Sequence, residues 1–164
     1  MNARWIHAVC WLAAVWAGGC GPREDLRAGR EVNSAERDGL VVEIELTRRE
    51  FAVGQTMPVT VTALNTTRRD LDILASTGAP VYVKVWRNIG VGWEEVKRYP
   101  QAAVMVMSPW SLEARGRRTF PLSVPVEPDW PTNEPLRVTA ELNGRPEVAP
   151  GIIIRVQGSA GTEG

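Results

Sequence analysis

Few side chains in this 164-residue chain can do chemistry. Its one histidine, His7, and its two cysteines, Cys10 and Cys20, all stand near the N-terminus. Beyond them an imidazole base or a thiolate nucleophile is missing, so Ser-His-Asp and Cys-His catalysis have no components there. Carboxylates remain, and the pairs Glu94-Glu95 and Asp70/Asp72 are the candidates among them. They could hydrolyse a glycan only by converging in a cleft; on outward strand faces such acids solvate and protect an edge. Met105 and Met107 would share one face of a strand. Copper carriers join such thioethers to histidine, and without it the pair reads as core filling. Arg115, Arg117 and Arg118 surround Gly116 and read as a solvated turn or as a seat for an anionic partner. Trp86, Trp93, Trp110 and Trp130 either pack between sheets and over edges or form a platform for glycan or peptide. Trp110 and Trp130 stand beside proline in apparent loops, which favours their exposure. Asn65-Thr66-Thr67 matches a glycosylation sequon and reads as a turn.

The N-terminus supplies the most informative residue. Arg4 is followed by an apolar run from Ala8 to Ala17, ten residues long. That length suits the core of a signal peptide and falls short of the roughly 20 residues of a membrane-spanning helix. The run ends in Ala17-Gly18-Gly19-Cys20, which resembles the lipobox of bacterial lipoprotein precursors. The resemblance implies cleavage before Cys20, acylation of its sulfur, and export to the cell envelope. Gly21 rather than aspartate follows, which leans to the outer membrane or the cell surface. Processing would remove His7 and Cys10 and consume the last thiol. The mature chain then offers no set of ligands for zinc, copper or haem. No cofactor, metal site or catalytic residue is expected; the one assigned site is lipidation at Cys20.

Loss of Arg4 takes the balance of 19 basic and 19 acidic groups to one net negative charge. No basic excess points to nucleic acid. Residues 20–38 are charged, mixed in sign and poor in large apolar side chains, so a disordered tether is expected there. Residues 158–164 read as a flexible tail.

Between them apolar and polar residues alternate with period two. Leu40, Val42, Ile44 and Leu46 share one face; so do Val59, Val61 and Ala63, then Val81, Val83 and Val85, and Leu136, Val138 and Ala140. Leu71/Ile73, Trp93–Tyr99, Phe120–Val124 and Ile152–Val156 continue the series. Such alternation is the mark of half-buried strands, and Asn143-Gly144 reads as a hairpin turn. About seven to eight short antiparallel strands predict two packed sheets over residues 39–157, an all-β sandwich.

Phe51-Ala52-Val53-Gly54-Gln55, followed by Val59 to Asn65, resembles the opening of bacterial immunoglobulin-like domains. Ser111 to Arg117 and then Phe120 to Val124 are similar to the loop and strand that follow in them. With Asn65–Leu74, Val81–Val85 and Gly92-Trp93, the chain weakly resembles the BsuPI-like intracellular proteinase inhibitor domain. The resemblance implies an immunoglobulin-like sandwich, and protease inhibition through a loop such as Pro125–Pro135. The function expected first is a non-catalytic binding or accessory module, anchored to a membrane through Cys20, with a protein or glycan partner. Protease inhibition is the alternative, ahead of a carboxylate-based hydrolase.

Overall fold

Four registers of alternating residues become the walls of one core. The computed structural model describes residues 29–158. The leader 1–19, Cys20 and the tail after Gly158 lie outside the described residues. Strands β1 (Glu31–Arg37), β2 (Leu40–Leu46), β4 (Thr56–Asn65) and β9 (Arg117–Pro125) form one sheet in the order β1-β2-β4-β9. Strands β3 (Glu50–Ala52), β6 (Val81–Asn88), β7 (Trp93–Tyr99), β10 (Pro135–Leu142) and β11 (Gly151–Gln157) form the other, in the order β3-β11-β10-β6-β7. A small pair, β5 (Leu71–Ala75) with β8 (Ser108–Leu112), stands apart. Leu40, Val42, Ile44 and Leu46 are fully buried and share one core cluster with Val83, Val85, Leu136 and Val138 of the facing sheet. The β2-β4-β9 sheet over the β11-β10-β6 sheet is an immunoglobulin-like sandwich.

The strands number eleven among the described residues, more than the seven to eight expected. They are antiparallel except β3 and β11, which run parallel with Glu50 opposite Arg155. The largest departure is in the expected tether 20–38, where Glu31–Arg37 is strand β1. Asp38-Gly39 causes it. Both residues adopt positive φ, 51° and 77°, the two-residue turn whose twist matches a hairpin. It folds β1 back on β2 from Arg37↔Leu40 to Glu31↔Leu46. β1 is an edge strand, mostly exposed, so its side chains never needed to alternate.

Asn65 pins the end of β4. Its Nδ2 donates to the carbonyls of Arg69, Leu112 and Glu113 at 2.7, 3.1 and 2.9 Å, and its Oδ1 accepts from the Thr67 amide and hydroxyl. The side chain is fully buried, so the sequon is a turn. Asn143-Gly144 also turns the chain. Only Gly144 takes positive φ, 98°, while Asn143 is buried and accepts from Ser76 and donates to Thr77 and Ala79.

The registers define two ends. Glu31 lies opposite Leu46, Leu46 opposite Val59 and Asn88 opposite Trp93. Leu136 lies opposite both Arg87 and Ile154, and the Arg155 amide donates to Arg49 in the loop after β2. The entry of the chain at Arg30 and the β6–β7 turn therefore share one end. Asp38, Asn65–Asp70, Glu113–Arg118 and Arg145 occupy the other, joined by the Asp38–Arg145 ion pair and the Thr66-to-Gly39 backbone bond.

Candidate functional site

Both sheets leave an open edge on the same side of the sandwich, β9 on one and β7 on the other. A groove of about 560 Å³ runs between them. Pro80, Val81, Tyr99 and Pro100 form one wall, and Phe120, Pro121 and Leu122 the other. Phe120 and Leu122 lie toward the interior and are half-buried because β9 is an edge strand with no partner on the groove side. The Tyr99–Pro100 peptide is cis.

At one end of the groove Arg118 lies over the rings of Trp110 and Phe120, 5.2 and 5.3 Å from their centroids. Those rings meet edge to face at 5.9 Å. Such stacking holds a guanidinium in place through its flat face and leaves its N–H edges for a ligand. Among the described residues Arg118 makes no ion pair. Trp110 Nε1 beside it is buried without an acceptor.

The other end is braced. Trp130 packs on Tyr99 at 6.2 Å and donates to its hydroxyl, which donates in turn to the Pro125 carbonyl. Burial pushes the Tyr99 phenol above its ordinary range. Lys97 clamps Asp129 and Glu127 at 2.6 and 2.7 Å, and Gln101 adds a bond to Glu127. Those two carboxylates, Asp129 first, raise the Lys97 ammonium well above its usual range.

β9's free side is blunted. Pro121 and Pro125 pair with Thr60 and Thr56 of β4, so both have the same parity in the strand. Proline is tolerated within a paired strand where its nitrogen faces outward. Two donors that an added strand would need are missing from that side.

The candidates marked in the sequence are dispersed by the fold. Arg115 and Arg117 are exposed at the same end as Arg118, which alone reaches the groove. Glu94 is paired with Arg87, and Glu95 with Arg98 and Lys84. Asp70 accepts from the Ala114 amide, and Asp72 points to solvent. Met105 and Met107 fill no core: they lie in the irregular strap Gln101–Met107 between β7 and β8, 82% and 62% exposed. The strap is held to Gly78 through the Val104 carbonyl. Trp130 is 2% exposed rather than presented by its loop. Trp110 stands in β8, half-buried. Trp86 is half-buried and donates to Thr139, and Trp93 is partly exposed with Arg137 over its ring. The sequence left Pro80, Tyr99 and Pro100 unmarked; the prolines flanking the strands were their only signal.

No protein-family model matches this chain, and no curated protein matches it. Among solved structures it is similar to the sporulation control protein Spo0M of Bacillus subtilis, with a TM-score of 0.50 and 12% identity. The match covers 74% of this chain and 50% of that one, so this chain spans about half the length of Spo0M. The alkylpurine DNA glycosylase AlkC of Pseudomonas fluorescens matches at a TM-score of 0.45 and 13% identity, over 79% of this chain and 30% of that one. A β-glucosidase from Listeria innocua matches at 0.44 and 16% identity, over 79% and 16%. At 12% identity, the similarity to Spo0M is one of fold.

Proposed function

We propose that this chain is an envelope lipoprotein, anchored through Cys20, whose sandwich binds an extended apolar segment of a protein partner along its open side. The observation that carries the reading is the groove walled by Tyr99, Pro100, Phe120 and Leu122 and ended by Arg118. Apolar walls with one fixed cation suit a peptide with aliphatic side chains and a carboxylate at one end. The prolines of β9 favour recognition through side chains over addition of a strand. Ala17-Gly18-Gly19-Cys20 supports the anchor.

A photo-crosslinking residue at Ser123, on the lip of the groove, is expected to capture a partner that the same residue at Glu36, on the far edge, does not. Arg118→Glu should weaken that capture about tenfold by reversing the charge. Equal capture from both positions, or none from Ser123, would remove the groove as the site. Cys20→Ala is expected to lose acyl labelling and leave the membrane fraction; retention with unchanged labelling would remove the anchor.

The exposed strap favours a second reading, protease inhibition of the BsuPI-like type. Val104, Met105 and Met107 project from irregular backbone as an inhibitory loop does, whereas Pro125–Pro135 is tied down by Trp130 and Lys97. Absence of inhibition across a protease panel at micromolar protein would dismiss it.

A further inference from the structure

We infer that the β6–β7 turn is a second membrane contact, inserting Ile89, Val91 and Trp93 into the interface of the bilayer that holds the anchor. This rests on the lipid-anchored reading above. The turn Ile89–Gly92 carries an apolar tip: Val91 is 94% exposed and Ile89 51%, and Trp93, the first residue of β7 beside it, is 39% exposed with Arg137 over its ring. Its polar backbone is partly satisfied within the loop. The Ile89 amide donates to the Gly92 carbonyl at 3.0 Å, and the Gly90 amide to Asn88 Oδ1 at 2.7 Å. Groups already bonded cost less to withdraw from water. Arg87 and Glu94 pair across the base of the hairpin, so the tip stands on a fixed stem. Tryptophan beside two aliphatic side chains is the composition of an interfacial anchor.

Position selects the occupant. The tip lies at the end where the chain enters at Arg30, and eight residues separate Cys20 from Gly29. Even fully extended they span only about 30 Å. That reach suits the entry end resting on the bilayer. Exposing the strap at Met105 to the same bilayer would require the tether to run the length of the sandwich. Three ion pairs stand at the entry end, Arg30 with Glu45, Arg49 with Glu31 and Arg87 with Glu94. The turn itself, from Ile89 to Gly92, carries no charged side chain.

The acylated full chain, in phosphatidylcholine vesicles with brominated acyl chains, tests this. A fluorophore is placed on Val91→Cys or on Met105→Cys, both exposed positions that carry no packing. The Val91 probe is expected to be quenched about threefold or more over the Met105 probe, consistent with burial of a loop tip in the acyl boundary. Equal quenching, stronger quenching at Met105, or none at either would overturn the inference while leaving the anchor intact. An intact mass with no acyl group on Cys20 would instead remove the anchored reading, and the inference with it.

Discussion

A buried polar side chain that loses its hydrogen bonds leaves every partner unsatisfied, which is costly in a low-dielectric core. Asn65 satisfies three carbonyls and two donors from one side chain. Asn65→Ala strands them, and the expected loss is about 2–4 kcal/mol by urea denaturation. Asn65→Asp keeps the acceptor, loses the donors and buries a charge, so it should be no milder. A variant as stable as the parent would show that water replaces the amide. Tyr99 sets an alkaline limit. Its folded pKa is raised by burial, so above the ordinary phenol range the unfolded chain holds fewer protons than the folded one. Stability is then fully present below about pH 10 and falls as pH rises through the folded pKa. Lys97, raised by Asp129 and Glu127, acts in the same direction. Tyr99→Phe should flatten the decline between neutral and strongly alkaline pH without abolishing it; an unchanged slope in urea titrations would assign the decline elsewhere. Residue types alone marked Arg118 and Trp110. They could not mark Trp130 as buried, because its partner Tyr99 is remote in sequence.

At the scale of the strand, the alternation read true where one face meets the core and failed at the edges. β2, β4, β6 and β10 bury one face and their apolar residues recur every second position. β1 and β7 are wet on much of both faces, and nothing constrained their side chains to alternate. Asp38-Gly39 was the signal for β1: a hairpin pair beside an alternating run. β8 was masked as a loop by Pro109, which sits opposite Leu74 in a two-stranded edge pair. Edge strands also carry a hazard that β9 answers with Pro121 and Pro125. Replacing both with threonine restores two outward donors. The expected outcome is concentration-dependent self-association by sedimentation velocity; a variant that stays monomeric would show that the groove, not the prolines, guards the edge.

The whole molecule is polarised. One end combines the chain's entry with an apolar hairpin tip, the other the arginines around Gly116, and the groove runs between them. The groove was not legible from local patterns, because it joins Pro80 ahead of β6, Tyr99 of β7 and Leu122 of β9. The pairing that brings them together has a kinetic side. β4 waits for β9, some sixty residues later, and the short β3 waits for β11, about a hundred later. Non-local pairings of this kind slow folding to milliseconds or longer. The β3–β11 pair cannot form until Gln157 has been delivered, so a chain still short of that strand leaves the edge of its second sheet open. The parallel contact of Glu50 with Arg155 thus acts as a clock: it lets the domain set only after the last strand has arrived.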